Sequence, residues 1–180
     1  MILSLEKARE INPNIIQEDL DSFESMVRNL TNNNFQNRDV RLENISFIGP
    51  DIIHVNNGDL TGFRVNSTIE VNDSTFNDGL YVIQSINGQD ITVVQSEKPF
   101  ITQLSSLAIV TLVEYPPDVV RGVKKLIQYD MKMSDKIGIK SESISRMSTT
   151  YYDVNATESI EGYPVSLMKF LNKYKKLRWS

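Results

Sequence analysis

Leu80-Tyr81-Val82-Ile83-Gln84-Ser85-Ile86, then Asn87-Gly88-Gln89-Asp90, then Ile91-Thr92-Val93-Val94 reads as a β-hairpin. Aliphatic, β-branched and aromatic residues flank an Asn-Gly pair, the composition of a tight turn between two strands. Working outward, four more short runs share this character, so the candidate strands are 41–48, 52–55, 63–71, 80–86, 91–95 and 107–113. Turn signals separate them: Gly49-Pro50-Asp51, Asn56-Asn57-Gly58-Asp59 and Asn77-Asp78-Gly79. Strands this short and this numerous predict a small β-barrel or β-sandwich module.

On both sides of that module the hydrophobic period changes. A short helix is expected from Ser4 to the Asn12-Pro13 stop, because the residue before proline is driven out of the helical region. Ile16, Leu20, Phe23, Val27 and Leu30 then make one helical stripe, with Glu18, Asp19 and Asp21 suiting the positive end of its dipole. Thr31-Asn32-Asn33-Asn34 closes it. After the module, Pro116-Pro117 opens a helix carrying Val119, Val123, Leu126 and Ile127, and Gly122 within it marks a close crossing. Residues 138–157 are rich in Ser and Thr and read as an extended, partly paired span. Pro164 starts a last helix with Leu167, Phe170, Leu171 and Tyr174 inward, followed by a basic aromatic end.

The expected fold class is therefore α+β. Helices from residues 1–40 and 116–180 form a core, with residues 41–115 as the inserted all-β module. Composition removes several functions. The chain has no cysteine and one histidine, which excludes disulfides, thiol nucleophiles and zinc sites that need two such ligands. No apolar run is long enough to span a bilayer, and the first residues lack the order of a signal peptide, so an intracellular protein is expected. Charge is uneven: residues 1–120 carry 7 Lys+Arg against 17 Asp+Glu, and residues 121–180 carry 12 against 6. Opposite ends of opposite potential can steer a partner, or let identical subunits meet head to side.

Candidate chemistry is sparse. Asp73 and Asp78 flank a Ser-Thr-Phe-Asn loop but lack the terminal glutamate of a calcium loop, and a turn accounts for them. His54 has no sequence-local serine or carboxylate to make a triad, and the scattered glycines form no phosphate loop. Neither catalytic nor metal-binding residues, nor a cofactor, are expected, and the protein is read as a non-enzyme. A small barrel with a basic end is also a plan for binding nucleic acid, which is the alternative function. The acidic character of the module, Arg64 and Lys98 apart, counts against it.

Three segments resemble the head-tail connector (adaptor, or head-completion) proteins of tailed bacteriophages and prophages. They are Glu24-Ser25-Met26-Val27-Arg28-Asn29-Leu30 with its Asn-rich exit; Val119-Val120-Arg121-Gly122-Val123-Lys124-Lys125-Leu126 leading to residues 139–145 and Tyr151-Tyr152; and Gly162-Tyr163-Pro164 before Tyr174-Lys175-Lys176-Leu177-Arg178-Trp179. The resemblance covers about half the chain and is one of order and fold. It implies a structural virion protein at the head-tail interface, assembled in the bacterial cytoplasm as a ring of its own copies beneath the portal. Such a ring extends the channel through which genome DNA passes and gives a platform to the stopper or tail-completion protein. On this reading Ile139, Ser141, Ser143, Ile144, Arg146, Tyr151 and Tyr152 contact the adjacent subunit. Lys173, Tyr174, Lys175, Lys176, Arg178 and Trp179 dock on the portal, and a chain lacking residues 171–180 is expected to fold without joining heads.

Overall fold

The computed structural model describes residues 1–95, 98–133, 141–144, 147–150 and 159–177. The chain divides into two compact units: Asn34–Glu114 with Met1, and Ile2–Asn33 with Tyr115–Ser180.

The first unit is an antiparallel sheet of eight strands: β1 (Gln36–Leu42), β2 (Ile45–Ile48), β3 (Ile52–Val55), β4 (Thr68–Asn72), β5 (Gly79–Asn87), β6 (Asp90–Val93), β7 (Gln103–Ser106) and β8 (Ile109–Val113). Their order across the sheet is β1-β8-β4-β5-β6-β3-β2-β7. The β5–β6 hairpin closes where Asn87 pairs with Asp90. Gly88 takes φ +61° at the first central position of its turn, where a side chain would be strained. Neighbouring pairs fix the rest of the register, with Ile69 opposite both Tyr81 and Leu112.

Chain connectivity forces this sheet to curl. Two residues, Glu43-Asn44, lead from β1 to β2, and two more, Leu107-Ala108, from β7 to β8, although each link joins strands six places apart in the ladder. Six spacings of about 4.8 Å need about 29 Å in a flat sheet, and three peptide steps reach about 10 Å. The curl wraps one face around a single cluster that includes Leu42, Ile45, Phe47, Ile53, Ile69, Ile83, Ile91 and Val110. Full burial of side chains of this size contributes about 1.5–3 kcal/mol each. Phe100 caps the cluster, edge-on to Phe47 and to Tyr81 at centroid distances of 5.1 and 4.8 Å. Glu70, between the cluster residues Ile69 and Val71 on β4, is buried as well and accepts hydrogen bonds from the side-chain amides of Asn34 (3.4 Å) and Gln36 (3.0 Å).

The second unit contains α1 (Leu5–Arg9), α2 (Gln17–Thr31), α3 (Pro117–Met133) and α4 (Val165–Met168), followed by a 3₁₀ segment, Lys169–Tyr174. It also holds two small ladders, β9 (Ser141–Ile144) with β10 (Met147–Thr150), and β11 (Ser159–Ile160) with β12 (Tyr163–Pro164). At the start of α2 the Asp19 carboxylate accepts the Ile16 N–H at 3.0 Å, and at its end Asn32 turns left-handed with φ +48°. Leu20, Phe23 and Val27 are buried on α2, and Val119, Val123, Leu126 and Ile127 on α3. Ile16, placed by its spacing in the α2 stripe, is 49% exposed because it precedes the first turn.

The expected helical core with an inserted barrel or sandwich is overturned. The dominant element is the eight-stranded antiparallel sheet, and of the four α-helices among the described residues two span only five and four residues. Nor is the sheet a closed barrel, because its end strands β1 and β7 do not pair with each other. Asn44, at φ +55° between β1 and β2, interrupts the pairing that a continuous strand would have carried on. The expected last helix is a four-residue helix running into the 3₁₀ segment, in which Met168 and Leu171, three apart, are buried. Phe170 lies over Gly122 of α3, where an added Cβ would sit 2.4 Å from the ring.

Candidate functional site

Of the residues expected to contact a neighbouring subunit, Ser141, Ser143 and Ile144 lie on β9, while Ile139, Arg146, Tyr151 and Tyr152 lie outside the described residues. β9 and β10 pair in register, Ile144 with Met147 and Ser143 with Ser148. Among the described residues this ladder pairs with no third strand. Two strands alone are marginal in water, since half of their backbone groups face outward and little apolar surface is covered.

The basic end is assembled differently. Tyr174 donates its hydroxyl hydrogen to Asp118 Oδ1 at 2.5 Å, and Lys173 Nζ lies 2.6 Å from Asp118 Oδ2. These two donors, lysine first, hold the Asp118 carboxyl below the usual aspartate range, and the same contact raises Lys173. The backbone beyond is tied to the exit of α2. Lys176 N–H donates to the Thr31 carbonyl at 2.8 Å, the Asn33 amide to the Tyr174 carbonyl at 3.3 Å, and the Asn32 amide to the Leu177 carbonyl at 3.1 Å. The Asn-rich exit thus both ends a helix and clamps the chain terminus. Lys175 and Lys176 remain exposed, and Arg178 and Trp179 lie outside the described residues. Leu171 is fully buried, so removing residues 171–180 would take away part of the core, contrary to the expectation that such a chain folds.

The second unit also contains a cleft of about 390 Å³ between α2 and α3, with Asp19, Phe23, Asp130 and Tyr163 in its wall. Tyr163 donates its hydroxyl to Asp130 Oδ2 at 2.6 Å. Burial raises the Asp130 carboxyl above the usual range, the tyrosine bond works the other way, and the charge of Asp19 adds to the rise. Tyr115 makes a matching bond to the buried Glu24 at 2.7 Å, and burial pushes its hydroxyl far up.

The sequence concealed a carboxylate partner for His54: Asp90, opposite it on β6, lies 2.6 Å from Nδ1. Both side chains are well exposed and form a cross-strand pair on the surface of the sheet. At the other acidic candidate, Asp78 accepts both the backbone N–H (2.7 Å) and the hydroxyl (2.6 Å) of Ser74, which makes it a turn-closing residue. Among the described residues no group of three or more His, Asp or Glu is placed to hold a metal ion, and no helix is long and apolar enough to cross a membrane. The missed residues Asp118, Asn32 and Asn33 act through contacts with residues distant in the chain, which no local spacing reports.

No protein-family model matches the chain, and no curated protein sequence does either.

Proposed function

We propose that the chain is a structural virion protein, a head-tail connector that forms a ring of its own copies beneath the portal. The ring lengthens the channel for genome DNA, which passes without sequence-specific binding, and carries the stopper or tail-completion protein. It works by assembly surfaces and performs no catalysis. The observation that carries this reading is the Ser141–Thr150 hairpin, which pairs only with itself in the described chain and sits in one of the segments that resemble connectors. A marginal two-strand ladder gains most of its order when a third strand joins it.

The basic end supplies the second contact. Asp118 occupies Lys173 and Tyr174, which leaves Lys175 and Lys176, with Arg178 and Trp179 beyond them in sequence, to meet the portal. The test is the double variant Lys175→Glu, Lys176→Glu in the full chain, which touches no buried side chain. Its melting temperature is expected to match that of the parent, while joining to portal-bearing heads falls at least about tenfold, the loss expected when rim charges are reversed. Undiminished joining by the folded variant would remove the docking role.

A further inference from the structure

The two ends of the eight-stranded ladder differ in charge. β1 carries Arg38, Asp39 and Arg41, and its pairing with β8 slips between Asn37 and Arg41. Charge and irregularity are the usual means by which an edge strand is kept from recruiting another strand. β7 shares the irregularity, since its pairing with β2 shifts register between Ile45 and Phe47, but it lacks the charge: the fifteen residues 99–113 contain no charged side chain. Among the described residues β7 pairs with β2 alone, and Ile101, Leu104 and Leu107 around it are 53, 73 and 91% exposed. An uncharged edge with exposed leucines is a template for an incoming strand.

We infer that the β7 edge receives the Ser141–Thr150 hairpin of a second copy of this chain, extending the sheet from one subunit into the next. This rests on the ring assembly proposed above and names the surface that makes it. Three observations choose the occupant. The hairpin is itself a ladder with open outer edges and no third strand in the described chain. Its sequence, Ser-Glu-Ser-Ile-Ser-Arg-Met-Ser-Thr-Thr, has one acidic and one basic residue and so brings no net charge to an uncharged strand. The two units also differ in charge: Asn34–Glu114 has 4 Lys+Arg against 10 Asp+Glu, and Ile2–Asn33 with Tyr115–Ser180 has 15 against 13. Because the two surfaces differ, the contact is heterologous, the kind that closes into a ring when its rotation allows.

The absence of native cysteine makes the test direct. Full-length Leu104→Cys is mixed with full-length Ser143→Cys, or with Ser148→Cys for the other hairpin strand, and treated with a short bismaleimide. A mixed 104–143 or 104–148 dimer should dominate over the two homodimers and increase with protein concentration. Leu104→Lys, at an exposed site, should keep the parent melting temperature and weaken self-association at least about tenfold. Oligomers that give no mixed cross-link, a chain that stays monomeric at every concentration reached, or cross-linking within one chain carrying both cysteines would each overturn the contact. Rings on portal-bearing heads without the mixed cross-link would remove this contact and leave the connector reading in place. The mixed cross-link in a protein that never binds such heads would do the reverse.

Discussion

The β unit and the helical unit are held by different chemistry. In the sheet, one apolar cluster takes side chains from every strand but β7, and the aromatic contacts within it join Phe47, Tyr81 and Phe100. In the helical unit, apolar stripes on α2 and α3 are supplemented by three tyrosine hydroxyls bonded to carboxylates: Tyr115 to Glu24, Tyr163 to Asp130 and Tyr174 to Asp118. A hydrocarbon core responds to lost volume and hardly to pH, whereas tyrosine-carboxylate bonds are specific in direction and respond to protonation. The unit expected to make the assembly contacts is thus the one whose packing is set by polar bonds.

The largest break in this comparison comes from the sheet. Phe47 is fully buried at the centre of the cluster, and Phe47→Ala is expected to cost about 3–5 kcal/mol, the range for deleting a core aromatic. Denaturant unfolding followed by far-UV circular dichroism should show loss of strand signal first, with helical signal surviving to higher denaturant. A single transition that keeps the parent midpoint would contradict the placement of Phe47.

A smaller effect is expected at the contact between α3 and the 3₁₀ segment. Alanine is normally better than glycine inside a helix by about 1 kcal/mol. At Gly122 the new methyl would meet the Phe170 ring at 2.4–2.5 Å, so the ring must swing away from its place over α3. Gly122→Ala should therefore lower stability by about 1–2 kcal/mol, in the range for overpacking. In a Phe170→Ala background the same substitution should become stabilising by up to about 1 kcal/mol. A double-mutant cycle without that change of sign would show that the two residues do not meet.

How far these contacts could be read from the sequence depends on how local they are. The β5–β6 hairpin was legible because its turn and both strands lie within one short run, and 52–55 coincides with β3. The run 63–71 was extended too far. Asn66 is left-handed at φ +67°, so the strand itself begins only at Thr68. β7 was missed because Ser105-Ser106 carries no β-branched or aromatic signal, and its partner β2 lies far upstream. The open ladder was hidden for the same reason, since it depends on which distant strands end beside which. At the candidate site, lysines at 173–176 were visible as charges, but nothing near them told which would be occupied by Asp118 and which left exposed.

The smallest effects, and the ones that sharpen the contrast, are titrations within the helical unit. Asp118 and Asp130 are both bonded by tyrosine, yet their environments shift them in opposite directions. Asp118 is held below the ordinary value of 3.8 by Lys173 and Tyr174, so its contribution is present above 3.8 and lost as pH falls through its lowered folded value. Asp130 is raised above 3.8 chiefly by burial, so its favourable contribution is present below 3.8 and is lost as pH rises through its raised folded value. At pH 7, then, Asp118→Asn should lower the melting temperature slightly and Asp130→Asn should raise it slightly. Both differences should shrink toward zero in strong acid, where the parent carboxylates are protonated. Added salt should shrink the Asp118 effect more, because its partner Lys173 is well exposed and the pair is open to screening. Melting curves at pH 7 and in strong acid, with and without salt, separate the two. Effects of the same sign at pH 7 would mean that burial does not set the state of Asp130, and that the cleft it lines is wetter than its walls of Phe23 and Tyr163 imply.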